Sequence, residues 1–204
     1  MQSLYSSFLL LAAAYLLGSL SFAVIVSRLM GLPDPRSVGS GNPGATNMLR
    51  CGRKSAALLT LAGDLAKGGA AVALAAYAVQ ALALSPWLVD GAALAVFLGH
   101  VFPLFFGFRG GKGVATALGA LMVLDWGVGL AALLVWLAVF AATRISSLAA
   151  LAAAALAPVF AAWLGAGALV PTLLIFTLLI FWRHAANIRR LLAGEEKRFG
   201  KSRP

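Results

Sequence analysis

Residues 113–143 read GVATALGALMVLDWGVGLAALLVWLAVFAAT, and the way in which this stretch divides decides the fold. A helix needs about 20 apolar residues to cross a bilayer. The stretch is long enough for one extended helix, but an Asp-Trp-Gly sequence at 125–127 interrupts it. The alternative is two helices over 113–124 and 126–143, of which the first depends on local bilayer thinning or on cover by protein.

The composition of the whole chain indicates a membrane protein. Of its 204 residues 62% are hydrophobic, the mean hydropathy is +0.95 and 11% are charged, whereas soluble domains carry about 25% charged residues. These values exclude a soluble enzyme, a disordered chain and a disulfide-rich scaffold. The single cysteine, Cys51, excludes an internal disulfide and a metal site of several cysteines. The first apolar run is too long for a signal peptide and is expected to be retained.

The basic residues decide between six and seven spans. Besides the stretch above, five others are long and apolar enough to cross the membrane: 4–29, 55–83, 87–106, 146–164 and 168–187. The chain has 16 Lys and Arg against 6 Asp and Glu, a formal net charge of +10. Basic residues collect in cytoplasmic loops and meet anionic head groups, so nucleic acid is not an expected partner.

With seven spans and the N-terminus outside, every basic residue except Lys67 falls on the cytoplasmic side. Six spans would instead divide Arg144 from the basic residues at the end of the chain. We therefore predict an all-α integral membrane protein, one transmembrane domain over 1–204, with about seven transmembrane helices and a cytoplasmic C-terminus.

The predicted cytoplasmic loops cover residues 30–54, 107–113 and 183–204. The first contains GSGNPGATNMLR, from Gly39 to Arg50. Its glycines present backbone N–H donors and Arg50 offers a fork suited to phosphate, so we predict an anion-binding loop. The glycine spacing also matches a dinucleotide-binding fingerprint. That interpretation is excluded because the motif follows a membrane span instead of a strand.

A second glycine-rich loop precedes residue 113 and reads FGFRGGKGVAT, from Phe106 to Thr116. It is not a P-loop, because no Ser or Thr follows the Gly-Lys pair and no strand precedes it. Several glycines and Lys112 at the start of a helix still predict an anion site, with a plain turn between helices as the alternative.

The end of the last predicted span carries His184 and Asn187, which stand at i and i+3 and share one helix face. Histidine is the side chain best suited to proton transfer near neutral pH. Two anion-binding loops on the same side favour a functional role for His184 over an interfacial one. Ser146 and Ser147 follow Arg144 and either cap a helix or donate to a phosphate.

Three ionisable residues lie inside predicted spans, namely Asp64, Lys67 and His100. Asp64 and Lys67 are three residues apart and can neutralise each other. An intramembrane ion pair is a functional candidate by default, but a pair that pins the helices beneath the loops explains it equally well. We assign Asp64 and Lys67 a structural role, and expect His100 to anchor the helix that leads into the glycine-rich loop.

The scarcity of acidic residues bears on the chemistry, because magnesium needs clustered carboxylates and none are present. We therefore predict no metal and no cofactor. Acyl transfer to or from a phosphorylated alcohol needs phosphate clamps, oxyanion donors and one proton acceptor. The alternative, a small transporter of a phosphorylated metabolite, would show paired repeats and ionisable groups near the midplane. A phosphatidyl transferase that uses a nucleotide-activated lipid would need a carboxylate cluster.

Three stretches taken in order, Gly39 to Arg50, His100 to Thr116 and Arg183 to Glu195, resemble the motifs of a known family. It is the family of bacterial membrane glycerol-3-phosphate acyltransferases that use acyl phosphate as donor. The resemblance implies acylation of the 1-hydroxyl of glycerol 3-phosphate to give 1-acylglycerol 3-phosphate (lysophosphatidate), independently of CoA. It also implies a location in the bacterial cytoplasmic (inner) membrane and a soluble phosphate acyltransferase that supplies the acyl phosphate.

The resemblance also implies roles for individual residues. The essential Ser and Arg of the first motif correspond to Ser40 and Arg50. The loop that binds glycerol phosphate corresponds to Gly110, Gly111, Lys112 and Gly113. The His, Asn and structural Glu of the third motif correspond to His184, Asn187 and Glu195, with Glu196 as the alternative. The serine that follows the fourth cytoplasmic Arg aligns better with Ser147 than with Ser146.

A direct transfer follows as the expected mechanism. Lys112, Arg50 and the loop amides hold the two phosphates, while Ser40, Asn42 and Asn47 orient the donor or its developing oxyanion. Thr46 and Ser147 are further candidates for substrate binding. Either His184 or the phosphate of the donor takes the proton of the attacking hydroxyl.

Overall fold

The computed structural model describes residues 2–51 and 53–200, and over these residues all regular structure is helical. The α-helices are α1 (Gln2–Gly18), α2 (Phe22–Leu29), α3 (Ala45–Arg50), α4 (Lys54–Ala81), α5 (Trp87–Val101), α6 (Val114–Leu124), α7 (Trp126–Thr143), α8 (Ser146–Trp163), α9 (Val170–Arg183) and α10 (Ala185–Leu192). Short 3₁₀ helices cover Leu104–Phe106 and Gly167–Leu169. The chain divides into two compact units, the first ending at Leu124 and the second beginning at Asp125.

Several helices are suited to crossing a membrane by length and composition. Within the described residues four qualify alone: α4, the segment Trp87–Phe106, α7 and α8. The number rises to six if each of two bent pairs counts as one span. The all-helical, multi-pass prediction is confirmed. The count of seven, the orientation of the termini and the single domain remain predictions.

Two predicted spans are not continuous helices. The span 4–29 is broken between α1 and α2, which meet at 47°, and the span 168–187 is broken at His184 with a bend of 65°. The long apolar stretch divides at Asp125, where α6 ends after only 11 residues and α7 begins. The Asp125 side chain accepts a hydrogen bond from the Val128 N–H at 2.9 Å and caps α7.

The break between α1 and α2 is stabilised by polar contacts from elsewhere in the first unit. Lys67 donates to the Leu20 carbonyl at 2.7 Å, and the Leu104 N–H donates to the Ser19 hydroxyl at 3.2 Å. The Tyr15 hydroxyl donates to the carbonyl of Phe102, just after α5, at 2.6 Å. Backbone that leaves a helix at membrane depth needs such partners, because lipid supplies none.

Small residues let the helices of the first unit pack closely. A side chain at Gly68 would collide with the Thr116 carbonyl, and one at Gly119 with the Leu65 carbonyl, so α4 and α6 are in backbone contact. A buried cluster of alanines with one valine holds α1, α4 and α5 together: Ala14, Ala71, Ala75, Ala92 and Val96. This is the packing expected of helices that associate in lipid.

The second unit consists of α7 to α10 and the segment that follows them. Thr177 in α9 donates to the Ala154 carbonyl in α8 at 2.7 Å. The segment after α10 returns to the turn between α7 and α8, where the Phe199 N–H donates to the Arg144 carbonyl at 2.9 Å. The Phe199 ring also packs edge-on against Phe140, with centroids 5.5 Å apart. The end of the described chain is therefore tied to the start of α8.

Candidate active site

Asn47 organises the first glycine-rich loop from within. Its side chain is 1% exposed, and its carboxamide oxygen accepts a hydrogen bond from the Ser40 N–H at 2.8 Å. Its NH₂ group donates to the carbonyls of Pro35 and Val38 at 2.9 and 3.0 Å. A side chain at Gly39, where φ is +62°, would collide with the carboxamide oxygen. These contacts show that Asn47 holds the loop backbone, and its predicted part in orienting the substrate stays a prediction.

The other predicted residues of this loop lie nearer its surface. Ser40 is exposed, whereas Asn42, Thr46 and Arg50 are half-buried. Arg50 is the last residue of the short helix α3. The loop therefore presents a hydroxyl and a guanidinium on a backbone that Asn47 holds in place.

Arg36 connects the first loop to the second, a contact that the sequence reasoning missed. Its guanidinium donates to both carboxylate oxygens of Asp34, with 2.7 Å from Nη2 to Oδ2 and 3.0 Å from Nε to Oδ1. It also donates to the Phe106 carbonyl at 3.2 Å. The hydrogen bond from Arg36 lowers the pKa of Asp34. The sequence could have indicated the Asp34–Arg36 pair, because the two residues are two apart in a loop that contains prolines.

The second glycine-rich loop meets the first at Gly111, which is buried. The Gly111 N–H donates to the His100 carbonyl at 3.2 Å. A β-carbon at Gly111 would collide with His100 Nε2 and would lie 3.1 Å from the Pro43 carbonyl oxygen. The structure thus brings the two predicted anion loops together, and only glycine fits at their contact.

Gly113 sets the direction in which the chain enters α6. Its φ of +82° is favourable only for glycine, and a side chain there would collide with the Phe97 ring. Lys112 is half-buried just before the N-terminus of α6, where the helix dipole favours anions. The predicted anion site therefore lies, as expected, where a glycine-rich loop with Lys112 leads into a helix N-terminus.

Buried polar contacts lie beneath the loops. The predicted pair is present, with Lys67 Nζ 2.8 Å from Asp64 Oδ1. His100 Nδ1 lies 3.4 Å from the same oxygen and 3.1 Å from the Thr116 hydroxyl. These contacts join α4, α5 and α6, and the structural role assigned to the pair stays a prediction.

In the second unit a buried glutamate gathers three partners. The Glu196 carboxylate accepts from the Ser147 hydroxyl at 2.7 Å, from Asn187 Nδ2 at 2.6 Å and from Arg190 Nε at 2.6 Å. Glu196 is 8% exposed, whereas Glu195 is exposed. Of the two predicted glutamates, these contacts are made by Glu196, the alternative, and not by the preferred Glu195; which of them has the structural role stays a prediction.

Hydrogen bonds also set the charge state of this glutamate. Burial alone would raise the pKa of Glu196, but the hydrogen bonds from Ser147, Arg190 and Asn187 outweigh it and lower the pKa below the ordinary 4.5. The carboxylate is therefore ionised at neutral pH. The Ser147 hydroxyl has a single proton, and it is committed to Glu196, so Ser147 does not donate to a phosphate in this arrangement.

His184 lies at the bend between α9 and α10 and is 3% exposed. Its Nδ1 lies 2.8 Å from the Ile180 carbonyl oxygen. A carbonyl only accepts hydrogen bonds, so Nδ1 carries the proton. In a neutral ring Nε2 is then the basic nitrogen, as a general base requires.

Among residues 2–51 and 53–200, no group of three His, Cys, Asp or Glu side chains is arranged to hold a metal ion. The cations and N–H donors of the loops suit an anion instead. A metal-independent reaction remains a prediction.

Comparisons with known proteins identify the family. The family model for glycerol-3-phosphate acyltransferase matches residues 8–194. The glycerol-3-phosphate acyltransferase of Thiobacillus denitrificans is 59% identical over 95% of this chain and 97% of its own. The glycerol-3-phosphate acyltransferase of Thioalkalivibrio sulfidiphilus is 58% identical over 94% of this chain and 93% of its own.

Two solved structures of the same kind of enzyme are similar to this chain over nearly its whole length. The crystal structure of PlsY (YgiH), an integral membrane glycerol 3-phosphate acyltransferase, in its glycerol 3-phosphate form has a TM-score of 0.88 and 41% identity, with 96% of each chain covered. The lysophosphatidic acid form has a TM-score of 0.86 and 39% identity over the same shares. A multi-pass membrane acyltransferase acting in phospholipid synthesis is confirmed, which decides against the transporter alternative. The chain belongs to the glycerol-3-phosphate acyltransferase family.

Proposed function

We propose that this acyltransferase uses acyl phosphate as its donor. It transfers the acyl group to the 1-hydroxyl of glycerol 3-phosphate and forms 1-acylglycerol 3-phosphate and inorganic phosphate. The observation that carries the proposal is the contact of two anion-binding loops at Gly111, one contributing Arg50 and the other Lys112. Two adjoining phosphate-binding loops suit a reaction in which both substrates carry a phosphate.

The solved relatives support the acceptor and the product. One structure of PlsY is the glycerol 3-phosphate form and another is the lysophosphatidic acid form. At 41% and 39% identity over nearly the whole chain, we transfer both ligands to this protein.

The acyl group passes directly from the donor to the acceptor, without a covalent intermediate on the protein. The oxygen of the 1-hydroxyl attacks the acyl carbonyl carbon, the bond from that carbon to the phosphate oxygen breaks, and phosphate leaves with the electron pair. The hydroxyl proton passes to His184 Nε2 or to the departing phosphate. Donors placed around the developing oxyanion lower the barrier without a metal.

Most of the predicted residues have a part in this scheme. Lys112, Arg50 and the amides of the glycine-rich loops hold phosphate oxygens. Ser40 and Asn42 orient the donor, and Thr46 contributes to substrate binding. Asn187 stays a candidate for positioning beside His184, whereas Ser147 acts through Glu196 instead of through a phosphate.

We further propose that the protein resides in the bacterial cytoplasmic membrane. The basic residues of the loops face the cytoplasm. A soluble phosphate acyltransferase then delivers acyl phosphate from that side.

The test is a transfer assay with purified protein in detergent, acyl phosphate and labelled glycerol 3-phosphate, run in parallel with and without EDTA. We expect labelled lysophosphatidate from acyl phosphate and none from acyl-CoA. No product from acyl phosphate would overturn the proposal, and product from acyl-CoA alone would overturn the donor. Loss of all product on addition of EDTA would overturn the metal-independent mechanism.

A further inference from the structure

We propose that His100 is a positioning residue for the glycine-rich loop that binds glycerol 3-phosphate. One edge of its ring is held by buried polar groups of the helix bundle, and the other lies directly against Gly111. The inference rests on the proposed function of that loop. His100 orients the loop amides in the protein before the substrate binds.

The bundle side of the ring lies against buried polar groups. Nδ1 faces Asp64 Oδ1 at 3.4 Å and the Thr116 hydroxyl at 3.1 Å, and both residues are buried. Asp64 is held in turn by Lys67, whose Nζ also donates to the Leu20 carbonyl at the break between α1 and α2. Contacts with α4 and α6 therefore restrain the ring, and Lys67 links the same group to the first helix break. Removing a group that orients another in this way disturbs its geometry.

The loop side of the contact involves both the backbone and the ring of His100. Its carbonyl accepts from the Gly111 N–H at 3.2 Å, while Nε2 lies where a Gly111 side chain would stand. A side chain at Gly110 would collide with the same carbonyl, and the Pro43 carbonyl covers Gly111. His100 thus contacts the second glycine-rich loop directly, whereas the first loop approaches Gly111 through the Pro43 carbonyl.

A loop of several glycines needs such support because glycine has the largest conformational freedom to lose. An unsupported loop would have to be ordered when the phosphate binds, and that cost weakens affinity. The effect falls on the ligand of this loop and spares the acyl donor. A merely structural role in the bundle would not produce that selectivity.

The variants that test this differ in which edge of the ring they retain. His100→Asn keeps a polar group near Asp64 and Thr116 but leaves the space beside Gly111 empty, whereas His100→Gln reaches toward the loop. Thr60→Val is the matched control. Thr60 is fully buried on α4, one turn before Asp64, and its hydroxyl has no hydrogen-bond partner.

The readouts are the KM of each substrate and the Kd of glycerol 3-phosphate, measured on folded protein in detergent. We expect His100→Asn to raise the KM and the Kd of glycerol 3-phosphate about tenfold, and to leave the KM of acyl phosphate within about twofold. His100→Gln should recover most of the loss, and Thr60→Val should match the unmodified protein.

An unchanged Kd for glycerol 3-phosphate in His100→Asn would overturn the inference, as would an equal loss for both substrates. If both His100 variants fail to fold, Thr116→Val decides. It removes one restraint on the ring at nearly constant volume and should raise the same Kd about threefold; an unchanged value overturns the inference. If the unmodified protein binds glycerol 3-phosphate but makes no product from acyl phosphate, the proposed function fails while the Kd values still decide this one.

Discussion

The two compact units hold their predicted functional groups by opposite means. In the first unit, backbone amides and glycines form the loops, and neutral hydrogen bonds with the Asn47 side chain and to the His100 carbonyl fix them. In the second, one ionised carboxylate, that of Glu196, gathers Ser147, Asn187 and Arg190. The first arrangement depends on shape and tolerates no added atoms, whereas the second depends on charge. Substitutions that crowd the loops of the first unit should therefore affect activity, whereas loss of the Glu196 charge in the second unit should affect stability.

Gly111→Ala should have the largest effect on activity. The new methyl group would collide with His100 and press on Pro43, so the loop must move. A displacement of this kind costs about a hundredfold in kcat/KM for glycerol 3-phosphate. The matched control is Gly167→Ala, where nothing lies within 4 Å of the added carbon. Equal activity of the two variants would refute the dependence of the first unit on close contact.

Glu196→Gln should have the largest effect on stability. It removes the charge that three buried or half-buried donors share and should lower the free energy of unfolding by about 2 kcal/mol. Arg190 contributes the smaller part, because its side chain is 41% exposed and solvent screens its charge. The exposed neighbour supplies the control, Glu195→Gln, for which we expect no change in the thermal midpoint. The measurement is thermal unfolding in detergent at pH 7. A larger effect at Glu195 would restore the original assignment.

The pH dependence of stability gives a finer test of the same carboxylate. The pKa of Glu196 is lowered in the folded protein, so its stabilising contribution is complete above the ordinary value of 4.5 and is lost as the pH falls through the folded value. The difference in thermal midpoint between the unmodified protein and Glu196→Gln should be constant near neutral pH and should shrink below 4.5. A difference that grows with acidity would contradict the sign of the shift.

The smallest effect is expected at Arg36, which joins the two loops of the first unit. Arg36 and Asp34 are 27% and 38% exposed, so solvent screens the pair. Arg36→Gln should cost less than about 1 kcal/mol of stability and raise the KM of glycerol 3-phosphate about twofold through the lost contact with Phe106. Arg53→Gln, an exposed position at the start of α4, serves as the control. Identical kinetics of both variants would show that Arg36 does not affect the binding of glycerol 3-phosphate.

Much of the fold follows from hydropathy and local chemistry. The apolar stretches predict the membrane helices, Asp125 divides α6 from α7 because its side chain caps the second helix, and Asp64 and Lys67 pair because three residues place them on one helix face. Breaks such as that at Leu20 could not be predicted, since they depend on a donor 47 residues away.

The choice between adjacent residues also required the structure. Glu195 and Glu196 are equivalent in the sequence, but the chain turns at Gly194, where φ is +70°, and only Glu196 points to Ser147 and Asn187. Asn47 resembles a substrate ligand in the sequence because polar loop residues bind anions. The structure adds that it is buried and that its NH₂ group holds the loop through the carbonyls of Pro35 and Val38.

The central claim, direct acyl transfer at the phosphate-binding loops, is tested most directly by counting products. Purified protein in detergent with EDTA receives acyl phosphate labelled in the phosphate and glycerol 3-phosphate labelled in the glycerol, with Gly111→Ala in parallel. We predict one inorganic phosphate released for each lysophosphatidate formed, and loss of both products together in the variant. Phosphate release without lysophosphatidate, or full product formation by Gly111→Ala, would contradict the account.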